Sequence, residues 1–378
     1  MIIDANSLEK QIKSTAYRLG FALVGITTPD SPRSFENYRR WIDAGRHAGM
    51  GYLATERALK RREDPRRILP ECKSIIVTGT SYLPRNHFAA SEKASARVAS
   101  YALGEDYHDV IASRLEELAR AVELLVGRSI PYKVYTDTGP ILERDLAQRA
   151  GIGWIGKNSC LINPDRGSYF LLGEILLGVS LQPDPPFQSD HCGSCTRCIE
   201  ACPTQCILAE RTVDANRCVS YLTIEEKGVI PHELRAGVAN WLFGCDICQQ
   251  VCPWNKRFAR ATGDPAFQAR PQLQAPDLAA FLELKPESWL SGFRHSPLER
   301  PRRRGLVRNA AVVAGNRADT SQIEALLNLL SDPEPIVRGH AAWAIGRLDV
   351  SAGNDALQEA LESEEDPYVI EEIRNALR

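Results

Sequence analysis

The chain has 378 residues, of which 44% are hydrophobic and 25% charged, and its formal net charge is −2. This length allows two or three domains with cores of their own, and the composition is ordinary for a globular protein. Residues 1–13 have neither the apolar region of a signal peptide nor the Arg-rich character of a transit peptide. No apolar run approaches the length of a membrane span. We therefore expect a cytoplasmic protein without membrane contact.

The first half of the chain alternates predicted helices with predicted strands. Apolar residues at helical spacing predict helices over 5–20, 34–45, 107–125 and 142–150. Short apolar and β-branched runs predict strands over 21–27, 74–80, 132–135 and 169–181, the last as one bent strand or two. The basic segment 60–62 is expected in a loop, because Pro65 and Pro70 follow it. The alternation predicts an α/β (α+β) domain over 1–185 whose sheet is covered on at least one face.

A polar turn follows the strand predicted at 132–135. Asp137 lies at the carboxyl end of this strand, where ligands usually bind in α/β domains, and Thr138-Gly139 lets a bound group approach the backbone. Asp137 could instead cap the helix that starts near Leu142, and from the local sequence alone Pro140 favours that interpretation. The glycine-rich stretch 151–158 contains no nucleotide-binding motif.

Nine of the eleven cysteines lie in the segment 186–257, and eight of these nine follow a recognisable spacing. These eight are Cys192, Cys195, Cys198 and Cys202 followed by Pro203, then Cys218, then Cys245, Cys248 and Cys252 followed by Pro253. The first run is the bacterial-ferredoxin pattern C-x2-C-x2-C-x3-C-P, and the second is the same pattern with Cys218 standing for its first cysteine. In this pattern the fourth cysteine of each run ligates the other cluster. We therefore predict one [4Fe–4S] cluster on Cys192, Cys195, Cys198 and Cys252, and a second on Cys202, Cys218, Cys245 and Cys248.

Zinc and disulfides are the alternatives for these cysteines. Zinc prefers paired C-x2-C units or Cys/His sets at longer spacing, and disulfides are rare in a chain without a signal peptide. The remaining Cys72, Cys160 and Cys206 are expected to be reduced bystanders. Clusters of this type move single electrons, so the protein is expected to pass electrons to another group.

The C-terminal part is predicted to be helical. Residues 258–304 have few periodic runs and are predicted to form a linker with short helices. Within 305–378, the sequence at 307–311 is echoed at 337–342, and Asp-Pro turns recur, which is typical of HEAT-like repeats. Such repeats present a surface for a partner, although a plain helical cap on the core is the alternative.

Five separate motifs, in order along the chain, resemble the epoxyqueuosine reductase family. They are Tyr101 with Gly104–His108, Asp137–Gly139, Arg149–Asn158, Cys192–Cys195 and Gly244–Gln249. The resemblance implies reduction of the epoxide of epoxyqueuosine at the tRNA wobble position to queuosine, with two [4Fe–4S] clusters and with cobalamin whose lower base is displaced. It also implies that Asp137 is the proton donor and that the helical tail grips the tRNA. One departure is Cys206, where the family usually has Ala.

The resemblance also suggests contacts for the cofactor and the tRNA. The candidates for cobalamin are Arg62, Tyr107, His108, Arg144, Lys157, Ser220 and Thr223. Arg144 could instead form a surface ion pair with Glu143 or Asp145. Positive charge for the tRNA is expected from Arg302, Arg303, Arg304 and Arg308, although a solvated basic face is the alternative.

The expected partners are tRNA carrying epoxyqueuosine at the anticodon and an external low-potential electron donor, and the chain is expected to be a monomer. A reductive dehalogenase-like corrinoid iron–sulfur reductase acting on a small molecule is the alternative function. A third hypothesis is a ferredoxin-like electron carrier, which would leave the N-terminal domain unexplained.

Overall fold

The computed structural model describes residues 7–85, 94–209 and 211–378. Its N-terminal part contains α1 (Leu8–Arg18), β1 (Leu23–Thr27), α2 (Phe35–Asp43), α3 (Glu56–Glu63), β2 (Ser74–Ser81), β3 (Arg97–Val98), α4 (Tyr107–Val126), β4 (Tyr132–Tyr135), α5 (Glu143–Arg149), β5 (Trp154–Ile155), β6 (Leu161–Ile162) and β7 (Phe170–Leu177). The cysteine-rich part contains α6 (Arg197–Glu200), β8 (Ile207–Leu208), β9 (Thr212–Val213), α7 (Val219–Ile224), α8 (His232–Val238), β10 (Trp241–Phe243), α9 (Ile247–Gln250) and α10 (Pro253–Phe258). The tail contains α11 (Pro271–Gln274), α12 (Leu278–Leu282), α13 (Trp289–Phe293), α14 (Arg302–Arg317), α15 (Ile323–Leu329), α16 (Pro335–Leu348), α17 (Ser351–Ser363) and α18 (Pro367–Ala376).

The main sheet has the strand order β1-β2-β7-β4, and every neighbouring pair is antiparallel. Ile76 in β2 pairs with Ile26 in β1 and Ile175 in β7, and this face packs against α1 and α4. The opposite face, which carries Val77 and Leu176, packs against α5. Both faces are therefore covered, and the predicted covered sheet is confirmed. The apolar stretch predicted at 169–181 forms a single strand.

Residues 60–62 lie in helix α3, so the loop predicted there is wrong. The hydroxyl of Thr55 accepts a hydrogen bond from the Ala58 N–H at 3.2 Å, which caps the first turn. Pro65 then begins a short 3₁₀ turn. The prolines end this helix instead of preventing it, because Pro is tolerated at the start of the next turn.

The cysteine-rich part and the tail share one hydrophobic core. Leu222 and Phe243 from the former pack with Leu306 and Val337 from the latter in a single cluster of buried residues. A nearly buried ion pair joins α8 to α18, because the Arg235 guanidinium donates to both carboxylate oxygens of Glu372. The tail is therefore packed into the rest of the chain.

The tail helices stack in the order α14, α16, α18. Small residues allow close approach: a Cβ on Gly346 of α16 would lie 2.7 Å from the Ala376 Cβ of α18. The HEAT-like arrangement predicted from the repeats is confirmed. In the described part of the chain, none of the helices combines the length and the apolar character that a bilayer crossing requires.

Candidate active site

The site begins at the turn after β4. Asp137 has φ +57°, and the Thr138 N–H donates to the Thr136 carbonyl at 2.7 Å, so the chain makes a γ-turn centred on Asp137. The N–H of Asp137 donates to Glu143 Oε1 at 2.7 Å. Helix α5 begins after Leu142 without a side-chain cap. The capping role considered for Asp137 is therefore wrong, and its side chain is instead 65% exposed.

Two neighbouring side chains hold the Asp137 carboxylate. The Tyr107 hydroxyl donates to Asp137 Oδ2 at 2.6 Å, and His108 Nε2 lies 3.8 Å from the same oxygen. The two rings stack with centroids 4.0 Å apart. Burial alone would lower the pKa of His108, but the carboxylates of Asp106 and Asp137 outweigh burial and raise that pKa to about 9. Asp137 is thus held between a phenol and an imidazolium at neutral pH.

An aromatic row leads from this site to the second cysteine run. Tyr107 lies edge-on to Tyr101 at 5.9 Å between ring centroids, and Tyr101 lies 6.1 Å from Phe243. Phe243 ends β10, two residues before Cys245. Asp246 Oδ2 accepts hydrogen bonds from the N–H and the hydroxyl of Ser100, both at 2.7 Å, which fixes this loop to the N-terminal part of the chain. The sequence prediction did not include Tyr101 as a site residue, although Tyr101 belonged to the motifs on which the resemblance rests.

The first cluster prediction groups cysteines that the structure brings together. Burial and then the neighbouring thiols of Cys192, Cys252 and Cys195 raise the pKa of Cys198 to about 11. The indole N–H of Trp154 donates to Cys192 Sγ at 3.5 Å. Such N–H···S contacts tune the potential of an iron–sulfur cluster.

In the second group, a cysteine that is not a predicted ligand contacts two of the predicted ligands. Cys202 Sγ lies 3.4 Å from Cys206 Sγ, and a hydrogen bond from the Cys206 thiol lowers the pKa of Cys202 to about 5. The same thiol lowers the pKa of Cys218 to about 7. The hydrogen bond between Cys160 and Cys248 acts in the opposite direction, because it raises the pKa of the predicted ligand Cys248 and lowers the pKa of Cys160. Cys160 and Cys206, expected to be bystanders, therefore each lie beside a predicted ligand.

The donor set suits iron–sulfur chemistry. All eight predicted ligands are free cysteines, and thiolates are the ligands of [4Fe–4S] clusters. Within residues 7–85, 94–209 and 211–378, no three His, Cys, Asp or Glu side chains converge closely enough to hold a single metal ion.

Two predicted contacts are wrong because the side chains are fully buried. Arg308 is 0% exposed and donates to the carbonyls of Leu222, Glu226 and Gly228, so it cannot meet a tRNA phosphate. Thr223 is also 0% exposed. Its hydroxyl donates to a carbonyl one turn back in α7 and accepts the Gly244 N–H at 2.9 Å, so it cannot touch a corrin. Both residues instead brace the backbone beside the second cysteine run.

The other arginines predicted to contact tRNA divide into two kinds. The side chain of Arg303 is 11% exposed and its guanidinium binds Asp332, so the prediction is wrong for Arg303. Arg302 is exposed, and Arg304 is partly exposed with its guanidinium 3.8 Å from Glu334. The contact between tRNA and these two arginines remains a prediction.

The remaining cobalamin candidates lie at different places. Lys157 donates to the carbonyls of Gly193 and Cys195 at 2.7 and 3.0 Å, so it braces the first cysteine loop. Arg144 donates to the Ser159 carbonyl at 2.6 Å instead of pairing with a neighbouring carboxylate. Arg62 is buried with its guanidinium over the Tyr38 ring. Partly buried Ser220 lies next to Val219 in α7. Cobalamin contacts of these four residues remain predictions.

Comparisons with known protein families cover three parts of the chain. Residues 62–138 match the family described as epoxyqueuosine reductase QueG, DUF1730. Residues 191–255 match a 4Fe-4S double cluster binding domain, and residues 302–378 match HEAT repeats. The predictions of a twin-cluster segment and of a repeat tail are therefore confirmed.

Similar proteins cover nearly the whole chain. Epoxyqueuosine reductase of Pseudomonas aeruginosa is 40% identical over 348 residues, which cover 91% of this chain and 95% of the relative. That of Escherichia coli is 38% identical over 348 residues, with coverage of 91% and 90%. A crystal structure of an epoxyqueuosine reductase with an epoxyqueuosine-modified tRNA-Tyr stem loop superposes with TM-score 0.90 at 32% identity, covering 98% of each chain.

A Bacillus subtilis epoxyqueuosine reductase, solved with its aspartate-bearing catalytic loop swung out of the active site, superposes with TM-score 0.88 at 31% identity, again covering 98% of each chain. Sequence identity, coverage and structure thus agree along the whole length of the chain. The chain belongs to the epoxyqueuosine reductase family.

Proposed function

We propose that this chain reduces the epoxide of epoxyqueuosine in tRNA to the alkene of queuosine, with Asp137 as the proton donor. The observation that carries the proposal is the exposed Asp137 carboxyl, held by Tyr107 and His108 at the end of the aromatic row that leads to Cys245. The Asp137 carboxyl at one end of this row can supply a proton. Phe243 at the other end lies in the iron–sulfur segment, two residues before Cys245.

The chemistry of epoxide reduction determines what the side chains must do. Conversion of an epoxide to an alkene consumes two electrons and two protons and releases the oxygen as water. An alkoxide is a poor leaving group, so an acid must meet the oxygen as its bond to carbon breaks. Asp137 gives this proton, and the Tyr107 hydroxyl fixes the carboxyl oxygen that faces it. An external low-potential donor supplies the electrons through clusters held by the eight cysteines.

The residues around Asp137 would hold cobalamin. The Asp137 side chain is 65% exposed and the Tyr52 ring is 56% exposed, which leaves an open face for a large flat macrocycle. Both ring nitrogens of His108 face carboxylates, so this imidazole is already engaged. Tyr107, His108 and Ser220 would border the macrocycle. When bound, cobalamin would supply a nucleophilic metal centre of low potential for the reduction.

A basic group adjoins the site and supports tRNA as the substrate. Arg300 forms a two-pronged pair with Glu225 at 2.7 and 2.9 Å, and Arg302 is exposed two residues later. Burial and then the charges of Glu225 and Asp137 raise the pKa of Tyr52, while Arg300 opposes them. Tyr52 is therefore near enough to both Arg300 and Asp137 to respond to their charges. Positive charge at this place suits phosphates flanking the modified base.

The test compares two variants in the holoenzyme. Asp137→Asn keeps the shape of the side chain but removes its acid, so we expect turnover of an epoxyqueuosine-bearing stem loop to fall by about 10² or more. Tyr107→Phe removes only the hydrogen bond, for which we expect a loss of about tenfold. Nucleoside analysis measures the product, and iron content and corrin absorbance should stay unchanged in both. Full activity of Asp137→Asn would remove Asp137 from the mechanism.

A further inference from the structure

A buried carboxyl group lies behind the Asp137 turn. Glu174 in β7 pairs with Val77 on one side and Tyr135 on the other, and it is 0% exposed. Its face of the sheet packs against the apolar side of α5. In the described residues, its carboxyl oxygens make no hydrogen bond of ordinary geometry, but the carboxyl group of Glu143 lies close enough to interact with them directly. An apolar side chain would fill this position without a desolvation penalty, so the carboxyl group needs an explanation.

The group that acts most strongly on Glu174 is the carboxyl of Glu143. Burial and then Glu143 raise the pKa of Glu174 well above its ordinary value. Burial and then Asp137 raise the pKa of Glu143 to about 7, and Arg144 opposes this shift. Two carboxyl groups in one desolvated place cannot both ionise. Glu174 therefore keeps its proton, and Glu143 is the member of the pair that can carry a charge.

Glu143 has a second contact that links the pair to the catalytic turn. Its Oε1 accepts the N–H of Asp137 at 2.7 Å. Asp137 is in the left-handed region, which is uncommon for a residue with a side chain, so its γ-turn must be held by its surroundings. The hydrogen bond to Glu143 supplies this support. It is strongest when Glu143 is ionised.

We propose that Glu174 and Glu143 form an acid–carboxylate pair that holds the Asp137 turn in place, with Glu174 keeping the proton that lets Glu143 stay ionised and accept the Asp137 N–H. Both are positioning residues, since neither needs to touch the substrate. The inference rests on the proposed role of Asp137 as proton donor and adds what fixes this donor in position.

The test uses three variants of the holoenzyme. Glu174→Leu removes the acid proton, whereas Glu174→Gln keeps an N–H donor toward Glu143. Leu176→Ala is the matched control, because Leu176 is equally buried on the same face of the same strand. The two measurements are hydrogen exchange of the peptide covering residues 136–140 and the single-turnover rate of stem-loop reduction.

We expect Glu174→Leu to speed exchange in this peptide and to slow the reduction by about 10², as misplacement of a reacting group does. Stem-loop affinity and iron content should stay unchanged. Glu174→Gln should restore most of the rate and of the protection from exchange. Leu176→Ala should lower stability but leave exchange of the peptide and the rate near those of the wild type.

The proposal is overturned if Glu174→Leu matches the wild type in both measurements, or if Glu174→Gln is as impaired as Glu174→Leu. Failure of the proposed function is seen separately. A fully active Asp137→Asn variant would exclude the acid role of Asp137, whereas the exchange comparison would still decide whether the carboxyl pair holds the turn.

Discussion

At the scale of single residues, the structure changes the roles that the sequence had suggested for individual side chains. Asp137 resembled a helix cap, but its carboxylate binds Tyr107 and its N–H binds Glu143. Cys206 resembled a bystander, yet it lies 3.4 Å from Cys202. In both cases the partner that defines the role comes from another part of the fold or from a turn that the sequence does not reveal.

Cys206 provides a test of the ligand assignment. Cys206→Ala should retain about eight irons per chain after anaerobic reconstitution, because the eight predicted ligands are enough for two [4Fe–4S] clusters. Cys218→Ala, its matched control, should lose iron. Iron and sulfide analysis checks both variants. A loss of about four irons in Cys206→Ala would show that Cys206 is a ligand.

His108 predicts a pH dependence of stability. Its pKa rises from 6.5 in the unfolded chain to about 9 in the fold, so the folded state binds the proton more tightly. The stabilisation is fully present below about pH 6.5 and is lost as the pH rises through about 9. We expect the free energy of unfolding to be higher for wild type than for His108→Gln at about pH 6. This difference should shrink by about pH 10. Denaturant titrations at several pH values measure it; a difference that grows with pH would contradict the assignment.

At the scale of elements, α14 braces the cysteine-rich part of the chain. Arg308 donates to three carbonyls in the segment 222–228, and Asn309 donates to the carbonyls of Thr223 and Leu242. Burial lowers the pKa of Arg308 to about 10, although its guanidinium remains protonated at neutral pH. A helix expected to meet tRNA thus also fixes the backbone between Cys218 and Cys245, two predicted ligands of the second cluster.

Two arginines in α14 should therefore behave oppositely. Arg308→Ala removes the donor of one buried and two partly buried carbonyls, and we expect the free energy of unfolding to fall by about 3 kcal/mol. Arg302→Ala changes an exposed side chain, so stability should stay within about 0.5 kcal/mol. Its stem-loop affinity should instead fall, with a salt slope smaller by about one. Equal stability losses in the two variants would contradict this division.

At the scale of the whole molecule, the repeat tail and the iron–sulfur segment form one packed body, since they share a hydrophobic core. Family membership favours the reductase among the functions predicted from the sequence, over the electron carrier and the dehalogenase-like enzyme. The shared core also means that the tail has a structural role in addition to the proposed contact with tRNA.

Truncation tests this structural role. A chain ending at residue 300 would expose Leu222 and Phe243, which pack against the tail. We expect it to lose its cooperative unfolding transition and to incorporate fewer irons than the full chain, because burial of apolar surface holds this segment together. Thermal melts and iron analysis, with full-length Arg302→Ala as control, measure the effect. A truncated chain with a full iron content and an unchanged melt would show that the two parts fold independently.

The sequence by itself determined the features that depend on local spacing. The two cysteine runs, the strand at 132–135, the repeat pattern and the position of Asp137 after a strand all follow from residues close together in the chain. These features are readable because side-chain periodicity and ligand spacing are local properties.

Only the tertiary structure decided which distant groups meet. It buried Arg308 instead of exposing it, placed Cys160 beside Cys248, and set Glu174 behind Glu143 and the Asp137 turn. The sequence does not show whether an arginine in a helix or a glutamate in a strand faces water or the core. Burial and charge are set by packing between elements far apart in the chain, and those two properties decide what each group can do.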